Sequence, residues 1–279
     1  SIAAVALVHE AFLRLGWQPA VDVLVTGNVG EEGLGDLRGI RAVLDAHPDI
    51  CAAIAIEGHT LGRITHQGVG SRRFRVTLTG PGGHSWGDAG RPSAIHAAAR
   101  LVARLDTIRL PKQPKTTLNV GLIQGGISVN TIAPEATITI DVRSVETDAL
   151  VETSREVVRA ARDIETADIH VEIEIVGDRP AGRVPVDGGV VAIGIDVLKR
   201  LGIDAVCDAS STDANIPMSR GVPAMCIGLA HGGNVHRIDE YIVLDHLQTG
   251  LAQLILVTRV IAEKLRADTL TEAPARSAR

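Results

Sequence analysis

The sequence predicts an α/β protein whose mostly parallel sheet is interrupted by an inserted α+β domain. In the first and last thirds of the chain, apolar strand-like runs alternate with helical patterns, which is typical of a parallel sheet covered by helices. The middle third follows the order β-α-β-β-α-β of a ferredoxin-like unit. We therefore predict an α/β domain formed by residues 1–68 and 180–279, and an inserted domain, called the lid domain below, formed by residues 69–179.

The first domain should begin with a helix over residues 3–15. Its apolar side chains recur at steps of three and four residues, as they do on one face of a helix: Val5, Val8, Phe12 and Leu15. The elements expected next are a strand at 21–29, a helix near 36–46 and a strand at 51–56.

In the lid, residues 71–79 alternate polar and apolar side chains, as a half-exposed strand does. The further lid elements expected are a helix at 92–106, strands at 116–123 and 136–143, a helix at 147–163 and a strand at 169–176. After a linker over 176–185, the first domain should resume with a helix at 188–201, a strand at 204–207, a loop at 209–217, a strand at 222–228, a helix at 245–266 and a polar, frayed tail from Asp268.

The composition excludes several classes of protein. The 279 residues are 45% hydrophobic and 22% charged, and their apolar stretches are short, so no membrane-spanning segment is predicted. Aromatic residues make up 2% of the chain and the net charge is −5, which argues against a nucleic-acid partner. Cys51, Cys207 and Cys226 are widely spaced in apolar surroundings and form no disulfide or paired zinc pattern. We expect them to be buried, reduced thiols in a cytoplasmic protein.

Two adjacent carboxylates, Glu31 and Glu32, lie between Gly30 and Gly33 at the end of the predicted strand. Neighbouring strand residues point to opposite faces, so the pair can serve one pocket only if the chain leaves β geometry, which glycines permit. A metal site with one Glu as ligand and the other as base would use both side chains. The alternative is an acidic loop before the helix that begins near Asp36.

Two further loops follow predicted strands at the same edge of a parallel sheet, where ligands bind in such folds. Glu57 comes directly after the strand at 51–56, and His231 and His236 follow the strand at 222–228. Either histidine could bind zinc through a neutral imidazole, and the alternative for each is a solvated loop side chain.

Four motifs occur in an order that is found in one group of enzymes. They are Gly30-Glu31-Glu32-Gly33, Gly80-Pro81-Gly82-Gly83-His84-Ser85, Ser211-Thr212-Asp213-Ala214-Asn215 and Gly232-Gly233-Asn234-Val235-His236. Together they resemble the dinuclear zinc exopeptidases and amidohydrolases that include aminoacylase, peptidase T and succinyl-diaminopimelate desuccinylase. The resemblance covers residue 1 to about residue 265, and it implies a hydrolase of peptide or N-acyl amino-acid amide bonds.

The resemblance also implies roles for single residues. Glu31 matches the general base that takes a proton from a zinc-activated water. Glu32 matches a ligand of one zinc ion and Glu57 a ligand of the other. His236 matches the C-terminal histidine ligand, so that the complete site of the family holds two zinc ions.

In the lid, the resemblance implies that His84 reaches the active site of a partner subunit in a homodimer and helps to stabilise the oxyanion. It implies that Asn130 and Arg143 hold the substrate, Arg143 through a carboxylate. Each has a structural alternative. His84 could cap the following helix, Asn130 could close a turn, and Arg143 could pair with Glu135 or Asp141.

One motif of the family is absent from its expected place. The family carries a His-x-Asp element ahead of the first helix, which supplies a zinc ligand and leads to the carboxylate that bridges both metals. The His-x-Asp tripeptide of this chain, His47-Pro48-Asp49, comes after the Glu31–Glu32 loop and is interpreted as a turn. We therefore expect the chain to start after that element, to hold one zinc ion or none, and to be inactive or impaired.

Two other functions are compatible with parts of the sequence. A catalytically dead homologue would act as a binding or dimerisation module, and zinc stoichiometry would distinguish it. A dinucleotide-binding protein is suggested by Gly27, Gly30, Gly33 and Gly35. Their order is not Gly-x-Gly-x-x-Gly, and two glutamates would repel a pyrophosphate.

Overall fold

The computed structural model describes residues 1–267 and residue 270, which fall into two compact units. The first unit contains residues 1–68 and the described residues from 182 onward, and the second contains residues 69–181. The predicted fold class is confirmed, because an α/β unit is interrupted by an inserted α+β unit. Apart from residue 270, the tail expected from Asp268 lies outside the described residues.

The N-terminal segment is helical before its strands begin. The helix predicted over 3–15 is present as two helices separated at Leu7. Val8 and Phe12 are buried, and the Phe12 ring meets the Trp17 ring edge-on, with 4.3 Å between centroids. The elements of this segment are α1 (Ile2–Ala6), α2 (Val8–Arg14), α3 (Arg38–Ala46), β1 (Ala53–Leu61) and β2 (Arg63–Gly68).

The second unit contains a four-stranded antiparallel sheet with two helices packed on one face. Alternate strand residues enter the core, and fully buried Val76 lies opposite fully buried Ile138. The elements are β3 (Gly70–Thr79), β4 (Gly83–His84), α4 (Ala94–Asp106), β5 (Thr116–Gly125), β6 (Thr131–Ile132), β7 (Glu135–Ser144), α5 (Thr147–Arg162) and β8 (His170–Arg179). The main sheet has the order β5-β7-β3-β8, and β4 pairs separately with β6.

The C-terminal segment returns to the first unit, with α6 packed against α8. Its elements are β9 (Gly182–Arg183), α6 (Gly189–Arg200), β10 (Val206–Ser210), α7 (Asn215–Ser219), β11 (Ala224–Gly228), β12 (Gly232–Gly233), β13 (Tyr241–Ile242) and α8 (Leu247–Arg266), which follows a 3-10 turn at Leu244–His246. The short helix α7 begins inside the segment expected to be a loop at 209–217.

The sheet of the first unit has the order β1-β11-β2-β10, and β9 pairs with β2. The pairs β1–β11 and β2–β10 are parallel, whereas β2 runs antiparallel to both β11 and β9. The sheet is therefore mixed rather than mostly parallel. The difference comes from β2, an interior strand that the sequence pattern did not predict.

Residues 21–29 do not form the strand that was expected. Val23 and Val25 pack against the core of the first unit, but the segment joins no sheet in the described part of the chain. Its backbone is held by other groups: the Val29 carbonyl accepts the Gly39 N–H at 3.0 Å. The alternating apolar residues of this segment explain why it packs on the core. A strand also needs a neighbouring strand for its backbone hydrogen bonds, and this segment has none among the described residues.

The three cysteines are free thiols in different environments. Cys226 is buried as expected, and burial raises the pKa of its thiol. The expectation of burial is wrong for Cys51, which is exposed, and only partly right for Cys207. In the described part of the chain, no helix is long and apolar enough to cross a bilayer.

Candidate active site

The Glu31–Glu32 loop is a tight turn that glycines make possible. Gly30 and Gly33 adopt left-handed backbone angles, with φ of 78° and 55°. The Leu37 N–H donates to the Gly30 carbonyl at 2.8 Å, which closes the loop. A Cβ on Gly35 would lie 2.4 Å from the Gly30 Cα, so both positions require glycine. The chain therefore leaves β geometry at the paired glutamates, as their use in one pocket requires.

The loop lines an open groove on the surface of the first unit. The groove is bordered by Asn28, Gly30, Glu31, Glu32, Leu34, Gly35 and Arg38. The Asn28 amide donates to Asp213 Oδ2 at 3.1 Å, which ties the groove to the loop before α7. Both residues belong to the first unit.

Glu57 is a half-buried carboxyl group within the electrostatic influence of Glu32, one of the residues that line the groove. Burial is the main cause that raises its pKa, and the nearby charges of Glu32 and Asp213 raise it further. His59 and Arg63 act in the opposite direction and lower the pKa of Glu57. The charge of Glu32 therefore acts on Glu57. The expected reason was wrong, because no strand precedes Glu32 in the part of the chain that the structure describes, and Glu57 lies within β1 rather than after its end.

The position of Glu57 is fixed by an irregularity in β1. Glu57 and Leu61 both register with Gly228 of β11, so the residues between them bulge out of the ladder. A Cβ on Gly228 would lie 2.1 Å from the Thr60 carbonyl oxygen, which explains why glycine occupies that position.

Three charged or titratable neighbours of Glu57 were not singled out from the sequence: His59, Arg63 and Asp213. Asp213 lies inside the motif at 211–215, and His59 follows Glu57 at the two-residue spacing that places strand side chains on one face. Those signals were available. Arg63 was not predictable, because its ion pair with Asp208 at 2.7 Å joins two strands that are far apart in sequence.

His236 lies in an exposed loop that is folded by its own hydrogen bonds. Its backbone N–H donates to Glu240 Oε2 at 3.2 Å, and its φ of 63° is left-handed. The His231 ring packs edge-on against the His246 ring at 4.5 Å between centroids. The contacts that position His236 come from the loop itself, so its role as a ligand remains a prediction.

In the second unit, His84 lies in β4, and Asn130 directly precedes the paired strand β6. His84 registers with Thr131 in the β4–β6 pair, and the Ser85 N–H donates to the Asn130 carbonyl at 3.0 Å. The Asn130 side chain accepts a hydrogen bond from the Ser128 hydroxyl at 2.8 Å. These contacts hold His84 and Asn130 next to each other on the exposed surface of the second unit.

Arg143 makes the ion pair that was its structural alternative. Its Nε donates to Asp141 Oδ2 at 2.6 Å, while Arg73 Nε donates to Asp141 Oδ1 at 3.0 Å. Asp141 therefore fixes the guanidinium through one edge. The outer edge, formed by the two Nη atoms, keeps the geometry that binds a carboxylate.

The donor set near Glu57 suits a divalent metal in part. Carboxylates are zinc ligands, and mutual repulsion between Glu32 and Glu57 would be relieved by a cation. Within residues 1–267 and 270, no group of three or more His, Cys, Asp or Glu side chains is arranged to hold an ion. Glu32 and Glu57 fit part of a metal site, and other ligands must complete it.

The raised pKa of Glu57 predicts a pH-dependent effect on stability. Its carboxyl group binds a proton more tightly in the folded chain than in the unfolded chain. Protonated Glu57 therefore stabilises the folded chain at pH values below the ordinary glutamate pKa of about 4.3. This stabilisation is lost as the pH rises through the raised pKa of Glu57. In the presence of EDTA, Glu57→Gln should raise the urea midpoint at pH 7 and have little effect at pH 4.

Exposed Glu10, paired with Arg14, supplies the matched control for this measurement. Glu10→Gln should leave the difference between the two pH values unchanged, because surface ion pairs contribute little. A lower urea midpoint for Glu57→Gln than for wild type at pH 7 would contradict the argument.

Comparison with known proteins identifies the second unit. A family model described as an M20-type peptidase dimerisation domain matches residues 68–168. A probable carboxypeptidase of Aspergillus flavus is 27% identical over 207 residues, covering 69% of this chain and 49% of the relative. A peptidase M20 domain-containing protein of Schizosaccharomyces pombe is 28% identical over 228 residues, covering 80% of this chain and 51% of the relative. The chain spans about half the length of these relatives.

A solved structure agrees with these matches at the level of the fold. A tripeptidase from Staphylococcus aureus superposes with a TM-score of 0.72 at 20% identity, over 94% of this chain and 69% of that chain. Residues 68–168 match the dimerisation domain of M20-type peptidases, and the chain is similar in sequence to the M20-type relatives and in fold to the tripeptidase.

Proposed function

We propose that this protein takes part in the metal-dependent hydrolysis of peptide or N-acyl amino-acid amide bonds. The observation that carries the proposal is the convergence of Glu32 and Asp213 on half-buried Glu57, beside the loop that presents Glu31. Like charges at such a place are costly unless a cation or a proton relieves them. The names of the relatives, a carboxypeptidase and a tripeptidase among them, support this class of reaction.

In this proposal each residue of the first unit has one task. Glu31 removes a proton from the attacking water, since it stands in the groove next to the ligand Glu32. Glu32, Glu57 and His236 would hold zinc. When bound, the metal supplies Lewis-acid polarisation of the scissile carbonyl group.

The lid residues position the substrate. In the homodimer proposed below, His84 of one subunit donates a hydrogen bond, in the active site of its partner, to the carbonyl oxygen as negative charge develops there, and Asn130 holds the substrate. Arg143, fixed through Nε by Asp141, uses its outer edge for a substrate carboxylate. A free carboxylate is what a carboxypeptidase or an N-acyl amino-acid hydrolase would have to recognise.

We further propose that residues 1–279 by themselves hold zinc weakly and turn over slowly. Glu32, Glu57 and His236 would have to serve two ions, whereas a catalytic zinc takes three protein ligands and one water. The alternative function is a binding or dimerisation module without catalysis. It predicts that neither zinc binding nor hydrolysis depends on the glutamates of the groove.

The test is hydrolysis of dipeptides, tripeptides and N-acetyl amino acids by the full chain, with and without added zinc. We expect slow, zinc-dependent cleavage of substrates with a free carboxylate and at least tenfold slower cleavage of the same substrates as C-terminal amides. The tenfold figure is a lower bound, since losing a charge-assisted bidentate contact costs about 1.5–3 kcal/mol. Absence of hydrolysis at any zinc concentration would favour the binding-module alternative.

We propose a cytoplasmic homodimer, assembled through the lid. The match of residues 68–168 to a peptidase dimerisation domain supports the dimer, and three free thiols suit a reducing compartment. Sedimentation velocity of the full chain should give twice the mass of one chain at micromolar concentration. A species of single-chain mass at every concentration would contradict the dimer.

A further inference from the structure

The loop that follows β4 folds back onto His84 through an aspartate. The backbone N–H of His84 donates to Asp88 Oδ2 at 2.8 Å, and the backbone N–H of Asp88 donates to the His84 carbonyl at 2.9 Å. Asp88 Oδ1 also pairs with Arg91 at 3.1 Å. These contacts close a short turn whose first residue is the histidine.

The closed turn directs two backbone N–H groups at the His84 ring. The N–H groups of Trp86 and Gly87 each donate to His84 Nδ1 at 3.2 Å. A ring nitrogen that accepts hydrogen bonds carries no proton, so the proton of the neutral imidazole is on Nε2. Nδ1 is therefore used inside the turn, and Nε2–H is the donor that the exposed ring presents outward.

We infer that Asp88 is a positioning residue that fixes the ring of His84 and holds it in the Nε2–H tautomer. Asp88 contacts only the backbone of His84, not the reacting atoms. The inference rests on the proposed function for one step: the Nε2–H group is then the one that donates to the substrate carbonyl oxygen. A histidine whose tautomer and orientation are set before substrate binds needs no reorganisation when charge develops on that oxygen.

Packing in the turn supports this role for Asp88. Gly83 has a φ of 142°, and a Cβ there would lie 2.8 Å from the Asp88 Cβ. The aspartate thus occupies space that only a glycine at position 83 leaves open. A plain capping role for His84 does not compete with the inference, because capping uses Nδ1 and donation uses Nε2.

The first test is the nitrogen NMR spectrum of the histidine rings in the full chain at pH 8, where a long-range correlation distinguishes the two neutral tautomers. The His84 signals are those that disappear in His84→Gln. We expect the Nε2–H pattern in wild type. The Asp88→Ala variant should show a mixture of tautomers, and Asp88→Asn should stay close to wild type because its amide oxygen can still accept the His84 N–H.

The control variant is Asp163→Ala, which removes another aspartate–arginine pair of the second unit, that with Arg104. It should leave the His84 pattern unchanged. The Nδ1–H pattern in wild type would overturn the inference, as would a wild-type pattern in Asp88→Ala. If Asp88→Ala does not fold, as judged by circular dichroism, the wild-type tautomer and the Asp88→Asn variant decide.

A kinetic test applies where the chain hydrolyses a peptide. There, Asp88→Ala should lower kcat by about 10²-fold with KM within twofold, since a displacement of about 1 Å at a reacting group can cost that much. Unchanged kcat would overturn the positioning role. The NMR result does not depend on turnover, so a failure of the proposed function leaves the tautomer of His84 still testable.

Discussion

Replacing Glu31 by glutamine is expected to lower the hydrolysis of peptide or N-acyl amide substrates by about 10²–10⁴-fold, the usual loss when a general base is removed. Glutamine keeps the size of the side chain and cannot take a proton. Since Glu31 is proposed as a base and not as a ligand, KM should change little and the loss should fall on kcat. The measurement is steady-state kinetics in a preparation of the protein that holds zinc.

Glu10→Gln is a suitable control, because exposed Glu10 pairs with Arg14 and has no proposed role in proton transfer or metal binding. It should retain turnover within a fewfold of wild type. If Glu31→Gln keeps wild-type kcat, the base must be another residue.

The second large effect concerns stability. Gly250 lies in the first turn of α8, and a Cβ there would lie 1.9 Å from the Leu229 carbonyl oxygen. In an open helix, alanine would be favoured over glycine by about 1 kcal/mol. Here the contact is with backbone just after β11, which cannot move without disturbing the sheet. Gly250→Ala should therefore destabilise the chain by about 1–3 kcal/mol or more.

Urea unfolding of the full chain measures this effect. Gly27→Ala is the matched control, since a Cβ at Gly27 meets no atom within 4 Å and its φ is not left-handed. That variant should match wild type or be slightly more stable, because alanine restricts the unfolded chain. A Gly250→Ala protein as stable as wild type would mean that α8 does not pack on Leu229 as described.

The sequence predicts the lid well because its signals are local. Residues 71–79 alternate strictly, and β3 is found at Gly70–Thr79 with its apolar side chains in the core. The helices α4 and α5 likewise follow from periodicity, since each buries one face against the sheet. Local pattern and tertiary packing agree in this unit, so few elements could be misplaced.

The first unit is harder to predict because its pairing is nonlocal. Residues 21–29 have the composition of a strand but join no sheet in the described part of the chain, whereas β2 lies inside the sheet despite its polar residues. Whether each of these two segments joins the sheet depends on which neighbouring strand accepts and donates its hydrogen bonds. That strand is distant in sequence, so a local sequence pattern does not reveal it. For the same reason, β2 makes the sheet mixed.

The candidate site, too, was predictable from the sequence only in part. The conformational freedom of glycine predicts that Glu31 and Glu32 can lie in one turn, and the left-handed backbone angles of Gly30 and Gly33 agree with this prediction. Proximity of Asp213 to Glu57 could not be derived, because more than one hundred residues separate them and only the folded sheet brings them together. The roles of these residues, unlike their positions, remain predictions.

The measurement that tests the central proposal most directly is zinc affinity, determined by competition with a chromophoric chelator for the full chain and its variants. Glu32→Gln and Glu57→Gln should each weaken zinc binding by at least about tenfold, because even residues that only support metal ligands cost 10- to 100-fold when mutated. Glu31→Gln and His84→Gln should bind as wild type does. Equal loss of affinity in Glu31→Gln and Glu32→Gln, or unchanged affinity in both Glu32→Gln and Glu57→Gln, would contradict the account.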